Sequence, residues 1–556
     1  MTPFKTADKN FHLKPGHYLW LALFIFMLFV PGRASLPPLD RDEARYMQAT
    51  SQMIESKNYI DVRFQDKPRY LQPVGIYWLE ALAVNMTRTA QDKAVWAYRL
   101  PSLFAAVGSV LVTVWIGSIL FDSYIGLLAG LLLAVSVLLT AEGRMATIDT
   151  CLLFCILLAQ SSLARAWVAR SQKQKLPLSV PLIYWIAIGS GLMLKGPVVL
   201  IPTFLTPISL AWISKNKTWW KHLRLGWGWL IPFVMTLPWC IAIWHISHGQ
   251  FFGDAIGNNF VGKITSGQQA HGLLPGYYLA IFLVSFWPGS LFTAWCLPYI
   301  WKKRKVASFE FLLCWVIPHW IIFEAIATKL PHYVLPTYPA IAILTSASLW
   351  NISEDWIGPI SKWGKGLFNL YMGLWCVVGL SLTLGSIYCT HYMTGVWINS
   401  AFIGAFAVSI LIVYTIYYIF QHNVQRACLT AIGSAIVLYI EIFVVLLPCL
   451  HSEWLSNKIA QTVNLAKPCK SSVLASASYS EPSLVFLLGK NTQLLNAERS
   501  ADFLKKNSSC GLVLINHKDR NQFLNKLNKP VVKIAQIQGL NYSSGKKLNL
   551  ELYKVK

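Results

Sequence analysis

Long apolar runs follow one another along most of the chain, each near the ~17–25 residues that cross a bilayer as helix. They fall at 17–35, 94–119, 124–140, 148–168, 179–194, 197–213, 226–247, 277–299, 308–325, 331–349, 366–390, 397–420 and 427–449. This pattern predicts about thirteen transmembrane helices. The runs within 179–213 and 308–349 are divided only by Lys195-Gly196-Pro197 and Lys329-Leu330-Pro331. Two stretches depart from the pattern. The loop over 36–93 has balanced charge, and within it Asp40 and Glu43 have the spacing of a capping box ahead of Tyr46, Met47, Met53 and Ile54 at helical intervals. An amphipathic helix lying along the membrane surface is expected there. The tail alternates strand-like runs, beginning at Ser483, Gly511 and Leu548, with polar helical segments, which predicts a small α/β domain. The chain therefore divides into a helical polytopic membrane domain, residues 1–452, and a soluble domain, residues 453–556.

Composition agrees with the bilayer. Of 556 residues, 55% are hydrophobic and 13% charged, and the mean hydropathy of +0.47 is too high for a protein with a polar surface. A formal charge of +24 elsewhere suggests nucleic acid, but here the cations cluster in loops between apolar runs. With the N-terminus inside, the cytoplasmic loops hold Arg165, Arg170, Lys173 and Lys175, then Lys215, Lys217, Lys221 and Arg224, then Lys302 to Lys305. That is the positive-inside asymmetry, and it places the 36–93 loop and the tail outside. Lys5, Lys9 and Lys14 precede the first run, which meets Pro37-Pro38 rather than a small-residue cleavage site, so a retained span is expected. The eleven cysteines form no metal-binding spacing, and most lie in apolar runs. Cys469 and Cys510 alone sit in polar sequence, where an extracytoplasmic setting would allow a disulfide.

The same parity puts the polar interruptions of the apolar pattern on one face: Asp40 to Arg45, Glu142 to Asp149, Lys195, the 250–276 loop, and Lys329 to Tyr333. A single charge at a bilayer edge is commonly an anchor, whereas five clusters on one face point to a site. Asp149 opens an apolar run with no cation after it in the helix. Its carboxylate needs a partner such as Arg144, a polar cavity, or the helix dipole. Lys195, Lys263 and Lys329 suit a phosphate-bearing lipid, because lysine binds phosphate as a point charge. Gly262-Lys263-Ile264-Thr265 lacks the order of a phosphate-binding Walker A loop, and the lone His271 is more simply a solvated loop residue than a ligand.

These residues together resemble the bacterial lipid-A aminoarabinose transferase family, within the GT-C class of polytopic glycosyltransferases that includes the protein O-mannosyltransferases. The resemblance runs over about residues 30–350. It is carried by Asp42-Glu43-Ala44-Arg45-Tyr46, Pro73 with Tyr77-Trp78, Arg144 with Asp149, Leu194-Lys195-Gly196-Pro197, and Lys329-Leu330-Pro331-His332-Tyr333 with Pro336, Tyr338 and Pro339. It implies an extracytoplasmic active site with Asp42 as base or acceptor-orienting carboxylate, Arg45 and Tyr46 beside it, and Asp149 as a second essential carboxylate. Lys263, Lys195, Lys329, His332 and Tyr333 would bind the donor phosphate. The donor would be a polyprenyl-phosphate sugar, with an inverting transfer to lipid A or another glycolipid at the periplasmic face of the inner membrane. Nucleic acid is not an expected partner.

The chain departs from that family before the Tyr77-Trp78 pair, where Leu71-Gln72-Pro73-Val74 replaces the usual Glu-Lys-Pro-Pro. In the family that carboxylate and a loop histidine can hold a divalent metal, and the positions correspond here to Leu71 and Asn258. No metal cofactor is therefore expected, unless at a different site. A protein O-mannosyltransferase is the first alternative. A transporter is the second, disfavoured by the absence of repeats and by charges gathered at a membrane edge.

Overall fold

The computed structural model describes residues 12–40, 42–172, 176–214, 217–255, 257, 262, 274–351 and 362–556. Asn258, Lys263 and His271 lie outside the described residues. Every apolar run predicted above carries helix. Among the described residues, eight helical stretches are long and apolar enough to cross a membrane, and Pro15–Phe29 (α1) and Ser123–Ala134 are shorter apolar helices.

The 179–213 stretch doubles back. Ser179–Lys195 ends at Gly196, whose φ of +61° no side chain adopts readily, and Tyr184 donates to the Thr203 carbonyl at 2.7 Å. In one straight helix those two residues would stand about 28 Å apart. The turn brings Lys195 to the end of a hairpin rather than to the middle of a span.

The 36–93 region folds as α2 (Asp42–Ser56), a short hairpin of β1 (Arg63–Phe64) and β2 (Lys67–Pro68), and α3 (Gly75–Thr87). The expected surface helix is corrected on two points. First, α2 is buried continuously from Met47 to Met53, because α3 covers one side and a helix of the tail, Pro482–Leu488, covers another. Second, the capping box does not form. Asp40 accepts from the Ser483 N–H, and Glu43 reaches the Leu39 N–H. The fully buried Arg99 forks onto both Glu43 oxygens at 2.7 and 2.8 Å and also takes the Pro37 carbonyl. A buried ion pair survives only when its remaining bonds are made, and this one is saturated.

The tail is the expected α/β unit. β3 (Val473–Ala477), β4 (Gln493–Leu495), β5 (Gly511–Asn516), β6 (Val531–Asn541) and β7 (Lys546–Val555) form one sheet in the order β4-β3-β5-β7-β6. β3 runs parallel to both its neighbours, while β7 is antiparallel to β5 and β6. Cys469 and Cys510, just ahead of β3 and β5, form a disulfide with Cα atoms 5.6 Å apart. The run beginning at Ser483, expected as a strand, is the Pro482–Leu488 helix. Pro482 occupies its first turn, and Gly489, at φ +105°, ends it. A short run that is apolar at every position has no period to separate strand from helix.

Candidate active site

Four segments converge on one polar centre, the Val137–Glu142 helix and three more. Asp149 is the first residue of the Asp149–Gln172 helix, and Lys195 is the last of Ser179–Lys195. Each charge sits at the helix end whose dipole favours it, and the Lys195 ammonium meets Asp149 Oδ1 at 2.6 Å. Both side chains are about nine-tenths buried. The partner suggested by sequence is corrected here. Arg144 donates instead to the carbonyls of Leu28, Pro31 and Thr140, and its guanidinium lies 3.8 Å from the Phe443 ring centroid. The third segment, the 3-10 helix Pro331–Thr337, supplies His332 and Tyr333. The His332 ring stands between two carboxylates, with Nδ1 3.5 Å from Glu142 Oε1 and Nε2 3.8 Å from Asp149 Oδ2. Glu142 also accepts from the Thr147 hydroxyl at 2.8 Å, and Lys195 lies 5.5 Å from the Tyr333 ring centroid.

Glu142, Asp149 and His332 offer ligand atoms within 4.8 Å of one another, close enough to suggest a divalent metal. The two imidazole nitrogens face different carboxylates, and the Lys195 ammonium meets Asp149 at Oδ1 while Oδ2 faces His332.

The centre forms the polar end of a cavity of about 510 Å³. Asp149, Lys195, His332 and Tyr333 line that end. Leu152, Ile156, Ile201, Trp239, Ile322 and Ile326 are among the residues that make the remainder an apolar sleeve. Leu71, Gln72 and Pro73, where the sequence departs from its relatives, also line the wall. Lys329 does not. Its ammonium is buried on the carbonyls of Phe323, Glu324 and Ile326, at the C-terminal end of the Ala307–Ala325 helix.

Asp42, Arg45 and Tyr46 approach the centre from α2. The Asp42 side chain is 67% exposed and lies 3.8 Å from Arg45. Tyr46 is buried and donates to Gln72 Oε1, a residue of the cavity wall. Burial holds its hydroxyl well above the usual range, so it remains a neutral donor, and the charges of both Asp42 and Asp149 reach it. The structure thus gathers Asp42, Arg45, Tyr46, Asp149, Lys195, His332 and Tyr333, and places Lys329 elsewhere. Three contributors carry little signal in the sequence. Glu142 is legible only as part of a polar interruption. Arg69, whose guanidinium lies 5.3 Å from the Tyr46 ring centroid and donates to Tyr77 at 3.2 Å, sits in a loop of mixed charge. His319, on the cavity wall with Nε2 3.1 Å from the Tyr333 carbonyl, is a single histidine inside an apolar run.

A family model described as dolichyl-phosphate-mannose-protein mannosyltransferase matches residues 20–246. The chain is also similar to undecaprenyl phosphate-alpha-4-amino-4-deoxy-L-arabinose arabinosyl transferases. The one from Enterobacter sp. (strain 638) is 25% identical over 399 residues, 66% of this chain and 66% of that protein. The one from Pectobacterium atrosepticum is 24% identical over 390 residues, 69% of this chain and 67% of that protein. The match to the Enterobacter relative thus spans about two thirds of its length. Among solved structures, ArnT from Cupriavidus metallidurans bound to undecaprenyl phosphate superposes with a TM-score of 0.74 over 96% of this chain and 97% of that one, at 15% identity, a likeness of fold. The resemblance to polytopic glycosyltransferases is borne out, as is the helical membrane architecture with a small sheet domain.

Proposed function

We propose that the protein is a glycosyltransferase that moves a sugar from a polyprenyl-phosphate carrier to lipid A or a similar glycolipid. The observation that carries this reading is the shape of the cavity, an apolar sleeve with a lysine, a histidine and a tyrosine at one end. An isoprenoid phosphate has the matching form, with a long hydrocarbon and one anionic head. The similar arabinosyl transferases and the undecaprenyl-phosphate-bound ArnT point to the same donor class.

In this reading Lys195, His332 and Tyr333 receive the phosphate, and Asp149 holds the Lys195 ammonium in place. The acceptor oxygen attacks the anomeric carbon from the Asp42 side, and the bond from that carbon to the phosphate oxygen breaks with inversion. Asp42 takes the acceptor proton, and Arg45 orients its carboxylate. The phosphate leaves as a stable anion, so no strong general acid is required. Lys263, fourteen residues ahead of the Tyr277–Ser285 helix in the sequence, supplies further positive charge for the donor.

Lys195 takes the part a divalent cation would play, and transfer is independent of added metal. Activity that survives exhaustive chelation supports this, and strict dependence on a divalent ion overturns it. The site faces the periplasm across the bacterial inner membrane. The disulfide of the tail favours that side, and so does the gathering of cations in the opposite loops.

The test is reconstitution in liposomes with undecaprenyl-phosphate aminoarabinose or a hexose analogue and lipid A as acceptor. Transfer by the wild type, lost in Asp42→Asn and Asp149→Asn, supports the reading, and full activity in both variants refutes it. The mannosyltransferase family match favours one second reading, a polypeptide acceptor. Sugar appearing on a serine- and threonine-rich peptide rather than on lipid A would select it.

A further inference from the structure

The start of α2 is fastened from the far end of the chain. The Asp40 N–H donates to the Tyr542 hydroxyl at 2.7 Å, and Asp40 Oδ1 accepts from the Ser483 N–H at 2.8 Å. Tyr542 sits in the turn joining β6 to β7, where Asn541 pairs with Lys546, and the Trp454 ring packs edge-on against it with centroids 5.7 Å apart. Asn541 in turn donates to Glu481, just ahead of the Pro482–Leu488 helix. That helix drives Phe486 into a buried cluster with Met47, Val84, Tyr98 and Ala146, and Lys93 holds the Phe486 carbonyl at 2.8 Å.

Two of those neighbours matter for the chemistry. Met47 lies on α2, a little beyond one turn from Asp42, and Ala146 lies three residues before Asp149. Glu43 ties the same two segments together, accepting the Ala146 N–H at 2.6 Å. One wedge from the soluble domain therefore bears on the supports of both carboxylates.

We infer that the C-terminal domain is a positioning element of the catalytic centre, with Asp40, Ser483 and Tyr542 forming the clamp that fixes where α2 begins and hence where Asp42 points. Asp42's chemical role rests on the function proposed above; the clamp itself is defined by its contacts. Displacing a reacting group by about 1 Å can cost on the order of a hundredfold in rate, so a clamp two residues from the base has leverage on turnover. Loosening the clamp acts on turnover before donor binding, because Asp40, Ser483 and Tyr542 lie outside the cavity and no residue of α2 is among those that line it.

The experiment compares the full-length protein in liposomes with Asp40→Ala, Tyr542→Phe and Asp40→Asn, measuring kcat, donor KM and amide exchange across α2. Asp40→Ala and Tyr542→Phe should lower kcat about ten- to a hundredfold, with donor KM within about twofold. Exchange at residues 42–50 should quicken in both. Asp40→Asn retains an acceptor oxygen for the Ser483 N–H and should restore kcat most of the way. Unchanged kcat and unchanged exchange in the first two variants overturn the clamp, as does a rise in donor KM that accounts for the loss. Should the wild type transfer no sugar at all, the proposed function falls, and the exchange measurement alone decides the clamp.

Discussion

Asp149 and Asp42 each begin a helix, yet the Asp149 side chain is 11% exposed against an ammonium at 2.6 Å, and that of Asp42 is 67% exposed with a guanidinium at 3.8 Å. The first is a member of a buried charge-matched set, so removing it leaves the Lys195 ammonium buried without its ion-pair partner. The second forms a surface pair of the kind worth about 0–1 kcal/mol, so its carboxylate contributes little to holding the fold. Two carboxylates of one centre thus divide the work. One is tied to the wall of the cavity, and the other stands exposed beside Arg45, where the proposed function has the acceptor hydroxyl arrive.

Asp149→Asn should have the largest effect. It is expected to cost on the order of 10³ in turnover, as loss of a key electrostatic group does, and about 3–5 kcal/mol in stability, as breaking one side of a buried pair does. Thermal unfolding and a transfer assay on the same preparation check both. A Lys195→Gln change on top should recover part of the stability, and strictly additive losses would contradict the pairing. Asp42→Asn sharpens the contrast. Turnover should fall about 10²–10³-fold while stability stays within about 0.5 kcal/mol of the wild type. A large drop in melting temperature would place Asp42 with Asp149 after all.

Lys329→Gln probes a lysine that lies near the centre in sequence but outside the cavity. Losing its bonds to three carbonyls should destabilise the protein by about 1–3 kcal/mol and leave donor KM unchanged, and a selective rise in donor KM would return it to the phosphate site.

The last test concerns the domain behind α2. Burial raises the Asp40 carboxyl from 3.8 to about 6, opposed by the Ser483 hydrogen bonds and aided by Glu481, with Tyr542 and Tyr479 the other titratable groups facing it. Its Oδ2 is buried with no hydrogen-bond partner among the described residues, which suits a protonated carboxyl. The folded state therefore holds a proton that the unfolded chain releases. Docking should gain stability as pH falls from about 6 toward 3.8 and lose it as pH rises through 6. Subtracting the same curve for Asp40→Asn isolates this contribution, and two superimposable curves would remove Asp40 as its source.

Much of this was legible in the chain itself. Each predicted apolar run carries helix because roughly twenty apolar residues have few ways to satisfy their backbone in a bilayer. The convergence of Asp42, Asp149, Lys195 and His332 followed from loop parity. Partners were a different matter. Arg144 is close to Asp149 in sequence, yet Lys195, from another hairpin, makes the bond. Lys329 carries the same charge as Lys195 but ends on helix carbonyls. Asp40 and Glu43 have the spacing of a cap, but their oxygens go to Ser483 and Arg99.

The sequence by itself determined the solvent, the elements and the face on which the polar residues gather, because hydrophobic period and charge act within one segment or one loop. Tertiary structure alone decided which carboxylate is buried and which is open, and which lysine lines the cavity. It also set the C-terminal domain against α2. Those outcomes depend on contacts between segments far apart in the chain, where a charge takes whichever partner best offsets its loss of water.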